Sequence, residues 1–379
     1  MSDLHSNTVA FVAGSQIPPS PPPAKDRGAV KWLRDNMFSS VANGILTVIA
    51  ALVIITAVPA ILQWAFIDAV WSAGSLSECR EIAAANGVEG AFACWAVINE
   101  RFNQFLFGFY PNELLWRPVL AFVLMFVAMA PVLFRSLPRQ MLWFSLAYPF
   151  LAYFLIWGGL GLEPVESSKI GGFLLALIIG VTGIVASLPF GVLLALGRKS
   201  DLFFIKTICV VFIEFIRGVP LITLLFVASS VLNYFFPPVT ALDLILRVVI
   251  MATLFSSAYM AEVIRGGLAA LPQGQYEAAD SLGLDYWKSM RLIILPQALK
   301  ISIPGIVNTF IGLFKDTTLV SVIGLLDPVG MITPIRADSN WNGLVWEFYV
   351  FVALFFFAFC FCMSRYSMYL EKKLKTDNH

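Results

Sequence analysis

Charged residues are scarce in this sequence. Asp, Glu, Lys and Arg make up 13% of its 379 residues, hydrophobic residues make up 59%, and the mean hydropathy is +0.82. A soluble globular domain carries about 25% charged residues. The composition therefore indicates a membrane protein with many spans. The net charge of +1 gives no reason to expect nucleic acid as a partner.

Histidine and cysteine are too few for several kinds of site. The two histidines, His5 and His379, stand at opposite ends of the chain. That excludes a Ser-His-Asp triad and a His-ligated metal site inside the protein. The five cysteines include no C-x-x-C pair. We therefore expect no catalytic residue and no metal ligand.

A phosphate-binding loop is missing as well. Residues 191–200 read GVLLALGRKS, with five residues between the glycines and an arginine after the second. The ATP-binding motif needs four residues there and a lysine. We expect a chain that is not an enzyme and that binds no cofactor itself.

Long apolar runs, by contrast, are abundant. A helix needs about 20 residues to cross a bilayer, where only helices and closed barrels satisfy the backbone. The sequence predicts an all-α integral membrane protein with about eight transmembrane helices. They lie near Val41–Ile67, Pro118–Phe134, Met141–Leu160, Gly171–Leu196, Pro220–Phe236, Leu244–Ile264, Pro304–Leu325 and Leu344–Met363.

Positive charge orients these spans. With the N-terminus inside, the inside segments hold 18 of the 25 Lys and Arg residues. The bias holds loop by loop across an even number of spans, so both termini are expected in the cytoplasm. Residues 1–40 predict a Pro-rich disordered tail, and residues 371–379 a second cytoplasmic tail. Arg247, near the outer end of a span, is expected to reach the headgroups.

The outside loop 68–117 is rich in aromatic residues, including Trp71, Trp95 and Trp116. Such residues suit the membrane interface. Two interpretations stay open: a cap lying on the outer leaflet, or a platform for an extracytoplasmic partner. Cys79 and Cys94 both fall here, and an oxidising compartment would allow a disulfide between them.

A polar helical hairpin interrupts the apolar runs after Glu262. Gly266 and Gly267 are expected to end the preceding helix. Pro272 suits a helix start and Gly283 a left-handed helix end. Asp285 is a good N-cap for a second short helix at Tyr286–Leu292. Because the hairpin is polar, it must lie in water at the membrane surface. There the small residues Ala278 and Ala279 would let a protein groove approach closely.

The hairpin carries a recognisable pattern: E-A-A, three residues, G, nine residues, I-x-L-P. It stands here as Glu277, Ala278, Ala279, Gly283, Ile293, Leu295 and Pro296. This resembles the EAA signature of the membrane subunits of bacterial ABC importers. The flanking segments resemble the polar amino-acid uptake branch of these importers. They are residues 262–267, 272–275 and 315–321, together with Glu214 to Leu221, where valine stands at 219 in place of the usual threonine.

The resemblance covers residues 170–370, about half the chain. It implies that the last five spans, within residues 166–370, form a type I importer permease core. Residues 41–165 then form a three-span extension. The extension and the length resemble the M-type permease of general L-amino-acid (Aap-like) transporters.

The resemblance also implies partners in a bacterial inner membrane. These are a cytoplasmic ATPase dimer that uses ATP, a second homologous permease subunit and a periplasmic amino-acid-binding protein. The implied ATPase-coupling residues are Glu277, Ala278, Ala279, Gly283 and Asp285. Structural or gating roles are implied for the polar residues of the flanking runs, namely Glu214, Arg217, Gly218, Pro220, Glu262 and Arg265.

Lys315, Asp316 and Thr317 fall within the seventh predicted span. Charges at membrane depth are costly and usually serve a pathway or a pair. We expect either a substrate pathway or a structural pair that fixes a helix break. The second functional hypothesis for the whole chain is a self-sufficient secondary transporter or channel. Such proteins often contain internal repeats, and none is recognisable between the first four spans and the last four.

Overall fold

The computed structural model describes residues 28–133, 137–231, 234 and 242–376. Within these ranges every regular element is helical, apart from three isolated bridges between single residues. The chain forms two compact units. The first contains the described residues up to Ala69 together with Gly90–Ala93, and the second contains Val70–Glu89 and the described residues from Cys94 onward.

The first unit holds two helices. These are α1 (Gly28–Asn36) and α2 (Val41–Leu62), and a π-helical turn at Gln63–Ile67 extends α2. Ser40 caps α2 by accepting a hydrogen bond from the amide of Asn43 at 3.2 Å. The apolar window of α2 contains no charged residue and is long enough to cross a bilayer.

Helix α1 lies in the segment 1–40, which we expected to be disordered. Ala29, Val30 and Leu33 follow helical spacing, Lys31 falls between Val30 and Leu33, and Arg34 comes directly after Leu33. That amphipathic pattern explains why the segment forms a helix. Residues 1–27 lie outside the described part of the chain.

The helices of the second unit follow in chain order. They are α3 (Leu76–Ala85), α4 (Ala96–Phe107), α5 (Trp116–Leu133), α6 (Met141–Trp157), α7 (Gly172–Arg198), α8 (Phe203–Gly218), α9 (Leu221–Phe226), α10 (Leu244–Ala269), α11 (Gln273–Ser281), α12 (Tyr286–Ser289), α13 (Leu295–Asp316), α14 (Ile332–Ala337) and α15 (Trp346–Thr376). A π-helical turn follows α9 and another follows α12, and a 3-10 turn at Thr317–Ile323 follows α13.

The predicted all-α membrane fold is confirmed, with a smaller number of clear spans. In the described part, six helical stretches are long and apolar enough to cross a bilayer: those containing α2, α5, α7, α10, α13 and α15. Helices α8 and α9 together make a seventh, but they bend by 102° at the intervening break. Helix α6 is apolar yet shorter, at 17 residues.

The differences from the eight predicted spans have local causes. The predicted span Pro220–Phe236 is the second arm of the bent pair, because Pro220 stops α8 from continuing and starts α9 instead. Its residues 232–233 and 235–236 lie outside the described part, as does Phe134 of the predicted second span. The predicted span Met141–Leu160 ends at Trp157, where Gly158 takes a positive φ of 87°.

Helix α10 lies at the centre of the second unit. It packs against α7, α8 and α13, and 61% of its apolar window is buried. Small residues line these contacts; for example, the hydroxyl of Ser256 lies 3.2 Å from that of Ser187 in α7. Small side chains let membrane helices approach closely, which places α7 and α10 side by side.

The predicted break at Gly266 and Gly267 does not occur, since α10 continues to Ala269. A Cβ at Gly267 would lie 2.5 Å from the carbonyl oxygen of Ala298 in α13. Glycine therefore serves close helix packing at this position and does not end the helix.

Candidate functional site

The polar hairpin predicted after α10 consists of α11 and α12. Helix α11 begins directly after Pro272, as predicted. Glu277 and Ala278 are exposed, whereas Ala279 is fully buried within the protein. Adjacent residues on a helix point about 100° apart. The expectation that Ala278 and Ala279 form one exposed small face is therefore corrected: Ala278 faces outward and Ala279 packs inward.

The turn between α11 and α12 has the geometry that its residues predict. Gly283 has a φ of +68°, and its amide bonds to the carbonyl of Asp280 at 2.9 Å. The amide of Leu284 bonds to the carbonyl of Ala279 at 3.3 Å, which completes a Schellman motif. Asp285 then caps α12 by accepting from the Lys288 amide at 2.8 Å. The hydrogen bonds from the backbone amide and the side chain of Lys288 hold the pKa of Asp285 below its usual range.

Beyond the turn, the hairpin presents apolar surface to the outside. Leu282 is 73% exposed, Tyr286 51% and Trp287 68%. We call these three residues the hairpin tip. Sequence reasoning assigned no role to Tyr286 and Trp287. The sequence did contain a signal for an exposed aromatic surface, because two aromatic residues directly follow the N-cap Asp285 in a polar loop.

Helix α11 is fastened to two other helix ends through Tyr276. The phenolic oxygen of Tyr276 donates to the carbonyl of Leu268 in α10 at 3.3 Å. It also accepts from the ammonium of Lys199, which follows α7, at 3.2 Å. That ammonium lies 5.0 Å from the centre of the Tyr276 ring, within cation–π range. Lys199 was not among the predicted site residues.

Next to this contact lies a group of five charged side chains that we call the charge network. Glu262 in α10 lies 2.9 Å from Arg198, 3.1 Å from Arg265 and 3.9 Å from Arg217. The Arg198 atom that contacts Glu262 is Nη1, and this atom also lies 2.8 Å from the carboxylate of Glu214 in α8.

The predicted pair of Glu262 and Arg265 is present in the charge network, and four residues implied by the resemblance meet there. Arg198 was missed, because its partners are 16 and 64 residues away in the sequence. Of the other two residues in the implied structural set, Gly218 ends α8, and Pro220 precedes α9 at the bend.

The two charged residues at the end of α13, Lys315 and Asp316, lie in different surroundings. Asp316 and Thr317 line a cleft between α7, α9, α10 and α13, whose other walls are apolar, including Ile179, Leu225 and Val248. Lys315 is exposed and does not line the cleft.

The cleft is closed in this structure. It has room for about 10 Å³, roughly the volume that a single water needs. A molecule larger than water can enter only after the surrounding helices move apart.

The segment with Cys79 and Cys94 contacts the first turn of α15. A disulfide joins the two cysteines, whose Cα atoms are 6.1 Å apart. The amide of Cys94 donates to the carboxylate of Glu347 in α15 at 3.2 Å. Arg101 in α4 forms an ion pair with Asp338, which follows α14.

Arg247 does not reach outward as expected. It is 9% exposed, and its Nη1 donates to the carbonyls of Ala228 and Ser229 at 3.0 Å and 2.9 Å. Both carbonyls belong to the π-helical turn after α9. Such a turn interrupts the regular hydrogen-bond ladder, so the arginine satisfies groups that this break leaves available.

Asp327, in the loop after the 3-10 turn, was also missed by sequence reasoning. Its side chain is fully buried and accepts from the amides of Gly330 at 2.8 Å and Val329 at 3.2 Å. Burial raises the pKa of this carboxyl to about 6, although the two amides act in the opposite direction.

Comparison with known proteins locates the chain among transport proteins. Residues 187–376 match the model of the binding-protein-dependent transport system inner membrane component. The chain is 51% identical to the glutamate/glutamine/aspartate/asparagine transport system permease protein BztC of Rhodobacter capsulatus, over 97% of this chain and 99% of that protein. It is 46% identical to the inner membrane amino-acid ABC transporter permease protein YhdY of Escherichia coli, over 95% and 96%.

One solved structure is similar to part of the chain. The crystal structure of an amino acid ABC transporter with histidines is 30% identical and covers 53% of this chain and 91% of its own, with a TM-score of 0.48.

Proposed function

This chain belongs to the family of binding-protein-dependent transport system inner membrane components, and from that membership we propose that it is the permease subunit of an ATP-driven amino-acid importer. The observation that carries the proposal is the 51% identity along nearly the whole length of a permease named for amino-acid transport. The hairpin, with its exposed tip, gives such a subunit a surface that can bind an ATPase. It lies next to the charge network.

We propose that the hairpin binds a separate ATPase subunit. The tip residues Leu282, Tyr286 and Trp287 offer the apolar and aromatic surface that dominates protein interfaces. Glu277 and Ala278 flank it on the exposed side of α11. The chain binds no cofactor itself in this proposal, and the ATP is hydrolysed by the partner dimer.

We propose that the cleft with Asp316 and Thr317 belongs to the substrate pathway. A carboxylate among apolar side chains suits the ammonium group that every free amino acid carries. Thr317 uses its hydroxyl to donate to the carbonyl of Phe314 at 2.7 Å, so Asp316 is the group left to bind substrate. Lys315, which is exposed and outside the cleft, has no substrate role in this proposal.

The finer assignments are proposals as well. We propose a bacterial inner membrane location with both termini and the hairpin in the cytoplasm, because positive charge is concentrated on that side. Residues 166–370 would form the permease core, in line with the family match at 187–376, and 41–165 an extension. The remaining partners would be a second homologous permease subunit and a periplasmic binding protein, in a transporter of the general L-amino-acid type.

Uptake by a reconstituted complex tests the proposal. The chain would be co-purified with an ATPase, a second permease and a binding protein of the same transporter family from the same organism, and placed in proteoliposomes. We expect ATP-dependent uptake of glutamate, glutamine, aspartate and asparagine, the four substrates in the name of BztC. Glu277→Ala and Gly283→Asp should bind less ATPase and transport more slowly.

The chain reconstituted alone is the control. We expect no uptake from it with either ATP or an ion gradient. Uptake by the isolated chain driven by a sodium or proton gradient would instead support the secondary transporter, which the family membership does not favour.

A further inference from the structure

Two helices that line the Asp316 cleft also carry the charge network at a distance from it. Helix α10 contributes Val248 to the cleft and Glu262 to the network. At 1.5 Å per residue, those positions are about 21 Å apart along the helix. Helix α7 contributes Ile179 to the cleft and ends with Arg198 in the network.

The bent pair repeats this arrangement. Helix α9 contributes Leu225 to the cleft, and α8 contributes Glu214 and Arg217 to the network. The fourth wall differs: α13 brings Asp316 to the cleft but supplies no member of the network. The network therefore joins the remote ends of two walls, α7 and α10, to the end of α8 that leads into a third wall, α9.

Within the network, Arg198 and Glu262 are the side chains that reach two other helices. Arg198 in α7 contacts α8 through Glu214 and α10 through Glu262. Glu262 is only 17% exposed, so its charge depends on nearby cations for stabilisation. Loss of Arg198 would leave the end of α7 without its ion pairs to α8 and α10. Loss of Glu262 would remove the pair between α7 and α10 and the longer pair between α8 and α10.

Arg198 is also next to the contact with the hairpin. The adjacent Lys199 holds Tyr276 of α11 by a hydrogen bond and by its position over the ring. A displacement of α11 therefore acts on the end of α7, where Arg198 ties three helices together. It also acts on α10 through Leu268, and on α13 through the hydrogen bond between Gln275 and Gln297.

We propose that Arg198 is the positioning residue through which movement of the hairpin opens and closes the Asp316 cleft. In this mechanism Lys199 transmits the displacement of α11 to α7. Arg198 and Glu262 then make α7, α8 and α10 move as one body relative to α13. The inference rests on the proposed function, since it assumes that an ATPase moves the hairpin.

Coupling between ATP hydrolysis and uptake is the measurement that tests this inference. Complete complexes containing Arg198→Gln, Glu262→Gln or both changes would be reconstituted in proteoliposomes with the binding protein. We expect the ATP consumed per amino acid transported to rise by roughly 3- to 30-fold in each single variant. The double variant should be no worse than Arg198→Gln alone, because both changes break the ion pair between α7 and α10.

Further variants separate this role from a structural one. Lys199→Gln, which leaves the network intact, should raise the same ratio, and Arg198→Lys should restore part of the coupling. Lys206 is exposed on α8 and has no ion pair among the described residues, so Lys206→Gln should match the wild type. A structural role alone would lower the yield of complex and leave the ratio of the assembled fraction unchanged.

Two results would overturn the inference. One is an unchanged ATP-to-substrate ratio in the assembled Arg198→Gln complex. The other, decisive even if that variant does not assemble, is an unchanged ratio in Lys199→Gln. Absence of uptake by the wild-type complex would count against the proposed function instead, so the two failures are distinguishable.

Discussion

Lys199 and Tyr276 join two segments of the chain that are 77 residues apart. The lysine Nζ lies 3.2 Å from the phenolic oxygen, which itself donates to the Leu268 carbonyl at 3.3 Å. One hydroxyl group therefore connects the end of α7, the end of α10 and the first helix of the hairpin.

Removal of the hydroxyl should loosen the hairpin. Tyr276→Phe keeps the ring beneath Lys199 but loses both hydrogen bonds, at a net cost of about 1 kcal/mol. Local opening should then be roughly fivefold more frequent. The rate of trypsin cleavage after the exposed Lys288 and Arg291 measures this opening. Tyr286→Phe, in a ring that is 51% exposed, is the control and should cleave at the wild-type rate.

Trp287 should be important for ATPase binding. It is 68% exposed in the hairpin tip, so Trp287→Ala removes little packing inside this subunit. Large aromatic residues at interface centres contribute 2 kcal/mol or more, about 30-fold in affinity. We expect a loss of this size in ATPase binding, measured by titration of the purified ATPase. Trp346→Ala, in a residue that is 70% exposed at the start of α15, should bind normally; equal losses would contradict the assignment.

Asp316 should be needed for transport, and its neighbour Lys315 should not. Asp316→Asn removes the charge that would meet the substrate ammonium, and a charged hydrogen bond contributes about 1.5–3 kcal/mol. We expect uptake at saturating binding protein to fall at least tenfold. Lys315→Gln should stay within about twofold of the wild type, because Lys315 lies outside the cleft. Equal losses of uptake in the two variants would instead favour the alternative that Lys315 and Asp316 form a structural pair at the helix break.

The hairpin could be predicted closely because its signals are local. Pro272 precedes α11, Gly283 takes the left-handed turn, and Asp285 caps α12, each within a few residues of the feature that it determines. Local backbone preferences of this kind do not depend on the rest of the fold.

The predictions that failed depended on tertiary packing. Gly267 has the same local preference as Gly283, but it lies against α13 inside a continuous helix. Arg247 was expected at the headgroups because the π-helical turn that binds it is not visible in the sequence. Arg198 meets Glu262 only because α7 and α10 pack side by side.

The Cys79–Cys94 disulfide should stabilise the loop that it closes. It closes a loop with a sequence separation of 15 residues, for which the loss of chain entropy predicts about 3 kcal/mol. A Cys79→Ala, Cys94→Ala double variant should unfold at a lower temperature than the wild type. Reductant should lower the wild-type value toward that of the variant and leave the variant unchanged. Cys209→Ala, which removes a free cysteine, should keep the response to reductant.

Asp327 should make stability depend on pH in an unusual direction for a carboxylate. Burial raises its pKa from 3.8 to about 6, so between those values the folded chain keeps the proton that the unfolded chain releases. Stability contributed by the neutral form is therefore present at low pH and lost as pH rises through 6, by at most about 3 kcal/mol.

Thermal unfolding from pH 4.5 to 7.5 measures the effect of Asp327. Asp327→Asn loses one accepted hydrogen bond at every pH, so the slope against pH is the informative quantity and not the absolute stability. We expect the variant to lack the decline that the wild type shows between pH 4.5 and 6.5. Glu89→Gln, at an exposed carboxylate, should keep the wild-type slope. Parallel curves for Asp327→Asn and wild type would show that the buried carboxyl titrates at its ordinary pKa.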